Sequence, residues 1–237
     1  MLGTIVAFAG FRVVREGDRL RISRGIVERR EASVPIARVA AIRIVESPLR
    51  EPFGLAQVRL ESAGYAKEPA TAQALLPLVR RRNVEEVVRR LLPELAASTP
   101  SLAAPPPRAL RRYVVPPVAV AAVVPIVLVP LFGTPALAAL AAPVLAAAFA
   151  VAAFRSAGWR LDAARLVLRE RGLQRTTLIA DARRLPELFA RTSAFQRRAR
   201  LATVGVALGS GRRAAVRHLD AATAQSLFAQ LAALARS

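Results

Sequence analysis

The sequence contains no cysteine and a single histidine among its 237 residues. Without cysteine, disulfide bonds, zinc–thiolate sites and thiol chemistry are excluded. His218 has no neighbouring residues that would complete a metal site or a catalytic triad, and Asp220 is better placed to cap a following helix. We therefore expect a structural histidine, no metal and no cofactor.

Acidic residues are also scarce, at 16 against 36 basic ones. They are scattered singly except for Glu85-Glu86, which suits the start of a helix. No paired-carboxylate, HExxH or phosphate-loop pattern occurs. Gly209-Ser210-Gly211 precedes strand-like residues and predicts a tight turn. The sequence therefore predicts no enzymatic activity and no small-molecule substrate.

The basic excess gives a formal charge of +20, which favours anionic partners such as lipid or nucleic acid. Arginine runs at residues 80–82 and 197–200 are candidates for such contacts, although solvated surface and charge that fixes membrane topology explain them as well. Aromatic residues make up only 5% of the chain. Because single-stranded nucleic acid is bound by stacking on aromatic side chains, nucleic acid is not the expected partner.

Between residues 113 and 154 the chain has 42 consecutive residues without Asp, Glu, Lys, Arg or His. About 20 apolar residues suffice to cross a bilayer. Gly133-Thr134-Pro135 in the middle is typical of a turn followed by a helix start. We predict a transmembrane hairpin over residues 113–155, with helices at 114–132 and 135–154. Five prolines leave a re-entrant wedge as the second interpretation, and a buried soluble hairpin as the third.

Basic residues flank this hairpin on both sides, whereas its connecting loop is uncharged. Arg111 and Arg112 precede the first helix, and Arg155 and Arg160 follow the second. Since short Arg-rich segments stay on the cytoplasmic side, both flanks are expected to be cytoplasmic and the protein a multi-pass protein of the inner membrane. These four arginines are the candidate contacts with the membrane surface.

The chain before the hairpin alternates apolar and polar residues in short strands, with turns at Gly17-Asp18 and Phe53-Gly54. An amphipathic helix follows, with Asn83 as the expected N-cap and an apolar stripe that begins at Val84. We assign residues 11–97 to a first β-rich domain and 98–112 to a proline-rich linker. Residues 1–10 are interpreted as the end of a hydrophobic segment.

The chain after the hairpin, residues 159–237, repeats the first domain at an offset of 146 residues. Val39 corresponds to Leu185 and Ile42 to Leu188. Leu55-Ala56-x-Val58-x-Leu60 corresponds to Leu201-Ala202-x-Val204-x-Val206. The closing helix also returns, with Asp220 as its N-cap and Ala224, Leu227 and Leu231 within its apolar stripe. Two copies of one strand-rich fold are thus predicted on either side of the hairpin.

A family resemblance is carried by short motifs in both copies. In the first they are Arg24-Gly25-Ile26, Pro35-Ile36-x-Arg38-Val39 and Phe53-Gly54-Leu55-Ala56; in the second, Arg171-Gly172-Leu173, Arg183-Arg184-Leu185 and Ser193-x-Phe195-Gln196-Arg197-Arg198. The chain resembles the bacterial pleckstrin-homology-like (PH-like), membrane-flanked domain family of the YdbS/YdbT type. That resemblance implies two curved antiparallel, seven-stranded sheets, each capped by a C-terminal helix. It implies no catalytic residues.

We therefore expect a non-enzymatic inner-membrane protein that presents two cytoplasmic PH-like domains as an interaction or assembly platform and contacts anionic lipid. Its partners would be the bilayer and either another protein or further copies of the chain, paired through exposed sheet edges. One alternative is a peripheral nucleic-acid-binding protein. The other is an accessory subunit of a transport or export system, which the lack of charge within the hairpin disfavours.

Overall fold

Two similar β-rich halves flank a helical hairpin in the computed structural model, which describes residues 12–24, 30–62, 74–95 and 101–236. The predicted hydrophobic segment 1–10 lies outside these residues. The first half contains β1 (Arg12–Glu16), β2 (Arg19–Arg24), β3 (Arg30–Pro35), β4 (Val39–Glu46), β5 (Leu55–Ser62), β6 (Ala74–Arg80) and α1 (Val84–Leu91). The hairpin consists of α2 (Leu110–Phe132) and α3 (Ala141–Ser156). The second half contains β7 (Gly158–Asp162), β8 (Arg165–Arg171), β9 (Arg175–Asp181), β10 (Glu187–Arg191), α4 (Ala194–Arg198), β11 (Leu201–Ala207), β12 (Arg213–Asp220) and α5 (Ala221–Leu234).

The predicted fold class is confirmed, with antiparallel strands in each half and a closing helix after each set. The turns predicted at Gly17 and Gly54 both use glycine at positive φ, +58° and +61°, which other residues adopt with difficulty. The strand β6 was not predicted. Pro77 interrupts its apolar pattern and lacks the backbone N–H that would donate to the neighbouring strand. The pairing of β5 with β6 is irregular there.

The helix α1 lies where it was predicted and buries Val84 and Val88. The expected capping bond from Asn83 is absent. A 3-10 turn, Arg81–Asn83, runs directly into α1 and leaves Asn83 with helical dihedral angles, so its side chain does not cap. By contrast, Asp220 caps α5 as predicted and accepts a hydrogen bond of 3.1 Å from the Ala222 amide.

Two helical segments that contain α2 and α3, Pro107–Phe132 and Ala136–Ser156, are long and apolar enough to cross a membrane. α2 begins four residues before the predicted start and continues through all of its prolines, including Pro130. The second helix begins later than predicted, because residues Thr134–Leu140 form a 3-10 helix and α-helical bonding starts only at Ala141. Pro143 explains this difference: it lacks an N–H donor and is tolerated in the first turn of an α-helix, where that donor is not needed.

One six-stranded sheet joins the two halves. Its strand order is β6-β5-β4-β9-β8-β7, and β4 of the first half pairs antiparallel with β9 of the second. In this junction Ile42 lies opposite Ile179, and Glu46 lies opposite Arg175. Two three-stranded sheets, β1-β2-β3 and β10-β11-β12, complete the described strands.

The second half, which is described from Gly158 to Arg236, contains six strands where the family resemblance implied seven. The position beside β9, where a further strand of the same half would lie, is occupied by β4 of the first half. The two modules therefore complete each other's sheets and are not separate domains on a flexible tether.

The shared sheet separates two hydrophobic cores. Because side chains alternate between the faces of a sheet, Ile42 and Ile179 contribute to the first core, while Ala41 and Leu178 contribute to the second. The helix α1 covers the first core. The helix α5 covers the second and buries Ala224, Leu227 and Leu231, as its sequence pattern predicted.

Candidate membrane-surface site

A cavity of about 860 Å³ lies where the hairpin meets the second module. We call it the membrane-facing cavity. Its polar wall comes from β8, β9, α4 and β12, and its apolar wall from the two hairpin helices. The residues that line it include Arg112, Tyr113, Pro116, Pro117, Ala146, Phe149, Ala150, Ala153, Glu170, Arg171, Gln196, Arg217 and His218.

The apolar wall is built by small side chains and one large one. Ala146, Ala150 and Ala153 recur at helical spacing along α3 and leave room beside the helix, while Phe149 projects from it. Pro116 and Pro117 of α2 complete this wall. The apolar wall therefore comes from both hairpin helices.

A β-bulge places Arg217 and His218 in the polar wall. On β12, Val216 pairs with Val204 and Leu219 with Ala202, so two residues of β12 stand opposite one residue of β11. His218 has φ of +59°, a left-handed conformation that is uncommon for residues other than glycine. Bulges redirect side chains, and strained backbone is concentrated at functional sites.

The side chain of Gln196 fixes the orientation of the His218 ring. Ser193 and Gln196 form a capping box at the start of α4. In it the Ser193 backbone amide donates a hydrogen bond of 2.9 Å to Gln196 Oε1. The Gln196 amide nitrogen therefore faces His218 and lies 3.0 Å from its Nδ1. Because that nitrogen donates, Nδ1 accepts, and the proton of the neutral imidazole lies on Nε2.

Tyr113 links the hairpin to the second module. Its hydroxyl donates a hydrogen bond of 3.2 Å to the Arg217 carbonyl, and its ring meets His218 edge-on at a centroid distance of 5.1 Å. The same ring contacts Phe154 of α3 at 5.7 Å. Tyr113 therefore packs against protein on two sides.

The charges in the cavity are mainly positive. Arg112 lies over the Phe195 ring, 5.6 Å from its centroid. Within the described part of the chain, no carboxylate lies within ion-pair distance of Arg112 or Arg217. Arg171, by contrast, is held by Glu51 at 2.7 Å. Cationic character in the cavity is thus concentrated at Arg112 and Arg217.

Two titratable groups in the cavity have shifted pKa values. Burial lowers the pKa of His218, and the nearby charges of Arg217 and Arg112 lower it further, so the ring is neutral at pH 7. Burial raises the pKa of Glu170, while Arg217 and a hydrogen bond from the backbone of Ala215 act in the opposite direction. In both groups burial is the largest cause of the shift in pKa.

The structure distributes the four predicted surface arginines unequally. Arg112 lines the cavity, whereas Arg111 and Arg155 are exposed at the base of the hairpin. Arg160 lies on β7 outside the cavity and pairs with Asp162 at 2.6 Å. Only Arg112 is therefore brought together with other cationic groups.

Three participants were missed by the sequence reasoning, namely Tyr113 as a cavity residue, Gln196 and Arg217. The Ser193-x-x-Gln196 spacing is a capping-box signal and could have placed Gln196 at a helix start. The bulge at His218 has no signal in the sequence, because a non-glycine residue at positive φ is dictated by the surrounding strands.

Exposed apolar residues cluster at the same end of the central sheet. Leu49 and Phe53 are 84% and 76% exposed in the β4–β5 connection, and Leu173 is 71% exposed in the β8–β9 turn. The Glu51–Arg171 pair ties these two loops together. Phe195, 65% exposed, borders the cavity itself. Exposed apolar residues grouped in this way are typical of protein or membrane contacts.

The fold and this site define a class of membrane protein in which PH-like β modules are attached to an apolar helical hairpin. The chain belongs to the bacterial PH domain family, whose model matches residues 1–95 and 115–235. This finding confirms the resemblance that the sequence motifs suggested.

The chain is similar to the UPF0699 transmembrane protein YdbT of Bacillus subtilis (strain 168). The two are 27% identical over 211 residues, which cover 88% of this chain and 43% of that protein. The chain thus spans less than half the length of this relative. No solved structure matches the chain.

Proposed function

We propose that this protein is a non-enzymatic inner-membrane protein that holds two PH-like modules at the cytoplasmic face as a platform for protein assembly, in contact with anionic lipid. The observation that carries this proposal is the β4–β9 junction, which makes one body of the two modules. A fixed body attached to a membrane hairpin suits the presentation of surfaces rather than the movement of domains.

Ion pairs across the modules support this rigidity. Glu61 of β5 is buried, pairs with Arg43 at 2.6 Å and accepts a hydrogen bond from Ser210 in the β11–β12 turn. Arg212 of the same turn lies 3.6 Å from Glu61. The Gly209-Ser210-Gly211 segment is therefore a turn, as predicted, and it also anchors the second module to the first.

The arrangement of charges supports a cytoplasmic location. Both ends of the hairpin lead into the joined modules, so both modules lie on one side of the bilayer. Arg111, Arg112 and Arg155 stand at that side, while the loop at the other end of the hairpin is uncharged. By the positive-inside rule, the modules face the cytoplasm.

The length of α2 favours a helix that spans the membrane rather than a re-entrant wedge. Its 23 residues correspond to about 35 Å at 1.5 Å per residue, against a hydrocarbon core of about 30 Å. A wedge would suit a helix that starts at Pro116 and stops before Pro130, whereas α2 runs from Leu110 to Phe132.

Two sheet edges offer a route to assembly through further copies of the chain. Among the described strands, β3 and β10 each end a three-stranded sheet. By the internal repeat, β3 is the counterpart of β9 and β10 that of β4. If β10 of one chain pairs with β3 of the next, the contact would therefore have the same geometry as the β4–β9 junction within a chain.

Three measurements test the proposed function. Reporter fusions at the two termini should both report the cytoplasm, and the protein should resist carbonate extraction. Crosslinking in native membranes, followed by pull-down with the hairpin intact, should capture a further copy or a defined protein partner. Termini on opposite sides, release by carbonate or the absence of any crosslinked species would each refute the proposal.

A further inference from the structure

We infer that the membrane-facing cavity holds one anionic phospholipid, with its phosphate between Arg112 and Arg217 and its acyl chains along the apolar wall of the hairpin. This inference rests on the proposed function, because only a hairpin seated in the bilayer brings lipid to the cavity.

The cavity matches the amphipathic character of such a ligand. A volume of about 860 Å³ accommodates a headgroup, the glycerol and the upper part of the chains. The apolar wall is continuous with the outer surface of α3, where Phe149, Leu145 and Val144 are each more than half exposed. A lipid beside the hairpin thus reaches the cavity without leaving the bilayer.

The cationic groups favour a phosphate over a neutral ligand. Arg112 reaches the cavity from the hairpin and Arg217 reaches it from the bulge of β12, so the lining offers two cationic groups to one ligand. Stacking on Phe195 orients Arg112 but leaves the edges of its guanidinium free to donate. Bidentate donation from arginine is the usual recognition of phosphate oxygens.

The remaining polar groups in the wall fit this assignment. His218 retains a proton on Nε2 because Gln196 donates to its Nδ1, so the ring supplies a neutral donor. Glu170 is the opposing group, and burial raises its pKa. Arg171 is engaged by Glu51 and contributes less.

The exposed apolar residues place the mouth of the cavity among the headgroups. Leu173 and Phe195 are exposed beside the residues that line the cavity. Apolar and aromatic side chains of this kind are typical of surfaces that enter the membrane interface. Arg112 and Arg217 would then lie at the depth of the phosphates.

The test uses the full-length protein in nanodiscs of phosphatidylglycerol and phosphatidylcholine in equal amounts, followed by native mass spectrometry of the lipid that remains bound. The wild-type protein should retain one phosphatidylglycerol per chain. Arg112→Gln and Arg217→Gln should each reduce that occupancy about fivefold, and together more than tenfold.

Two matched variants serve as controls. Arg213→Gln removes a charge from the same strand, but Arg213 lies over Phe189 and outside the cavity, so occupancy should not change. Ala146→Phe should displace the lipid by filling the apolar wall, whereas Ala148→Phe on the exposed side of α3 should not. Equal loss in Arg213→Gln and Arg112→Gln would overturn the inference, as would equal retention of the two lipids by the wild-type protein.

A competition experiment separates a lipid from a free phosphate ligand. Excess glycerol 3-phosphate should leave the bound phosphatidylglycerol in place, because the apolar wall contributes to binding; displacement by it would overturn the inference. Carbonate extraction of the same samples distinguishes failure of the proposed function from failure of the lipid site alone. Release of the wild-type protein would refute the proposed function, whereas a retained protein without phosphatidylglycerol would refute the lipid site alone.

Discussion

Glu46 on β4 and Arg175 on β9 form a two-pronged ion pair across the junction of the modules, with both nitrogen–oxygen distances at 2.8 Å. The Glu46 side chain is almost completely buried, and Arg81 approaches the same carboxylate at 3.4 Å. Hydrogen bonding to Glu46 raises the pKa of Arg175. The pair fixes the register in which the two halves meet.

Replacement of Glu46 by Gln should destabilise the protein by about 1 to 3 kcal/mol, because the buried carboxylate that accepts from Arg175 and lies beside Arg81 loses its charge. The free energy of unfolding is measured in detergent by denaturant titration. The control is Glu86→Gln, since Glu86 is exposed and forms surface ion pairs with Arg89 and Arg90. A loss in Glu86→Gln as large as that in Glu46→Gln would contradict the role of the junction.

Gly205 on β11 should not tolerate a side chain. An added Cβ would lie 2.5 Å from the Phe189 ring and 2.6 Å from the Ala214 carbonyl oxygen, so the strand would have to shift. We expect Gly205→Ala to lower the free energy of unfolding by about 1 to 3 kcal/mol. Gly172→Ala is the matched control, because nothing lies within 4 Å of its Cβ position. Equal melting temperatures for the two variants would refute this expectation.

The stability of the second module should fall as the pH falls below about 6.5. The folded state lowers the pKa of His218 from 6.5, so the unfolded state binds more protons in this range and unfolding is favoured. Above 6.5 the contribution is constant. Glu170 acts in the opposite direction, since its raised pKa makes protonation favour the folded state as the pH approaches 4.5.

His218→Asn isolates this histidine effect, because asparagine tolerates the positive φ and does not titrate. Thermal unfolding at pH 7.5 and pH 5.5 should show a larger loss for the wild-type protein than for the variant. Glu170 is present in both proteins and therefore cancels in the comparison. Identical losses would show that His218 does not differ in pKa between the folded and unfolded states.

Pairing between copies can be tested with a cysteine pair, since the chain has no cysteine of its own. In the junction Ile44 lies opposite Thr177, and the repeat maps this pair onto Ala190 of one chain and Glu31 of the next. Oxidation of a Glu31→Cys, Ala190→Cys double variant should give a ladder of disulfide-linked oligomers on a non-reducing gel.

The single variants should stop at dimers or remain monomeric. A shifted pair, Glu31→Cys with Glu187→Cys, is the register control. In the same mapping Glu187 lies three residues along β10 from Ala190, the position that faces Glu31. Equal crosslinking of both double variants would argue against a register copied from the junction.

Features with a local cause were predictable from the sequence. The hairpin follows from an uncharged run, α5 from Asp220 and its apolar stripe, and the turn at Gly17 from a glycine between alternating strands. The two modules follow from the 146-residue repeat, which also identifies β10 as the counterpart of β4 in the sequence.

Features caused by distant partners were not predictable. The pairing of β4 with β9 joins residues more than 120 positions apart, and apolar strands such as β4 carry no signal for which neighbour they take. The cavity depends on the bulge at His218, on the fit of α3 against β8 and on the contact of Tyr113 with β12. Of the four arginines chosen from the flanks, only Arg112 lies in it, because charge pattern along the chain does not reveal depth or direction.

The shared sheet also constrains the order of events during synthesis. β4 leaves the ribosome well before β9, and the whole hairpin is translated between them. Until β9 arrives, the inner edge of β4 has no permanent neighbour and its apolar face is uncovered, a state in which nascent chains aggregate readily. Synthesis of the hairpin therefore comes before the N-terminal half can finish folding, so a delay in the synthesis of the hairpin or β9 would harm that half first.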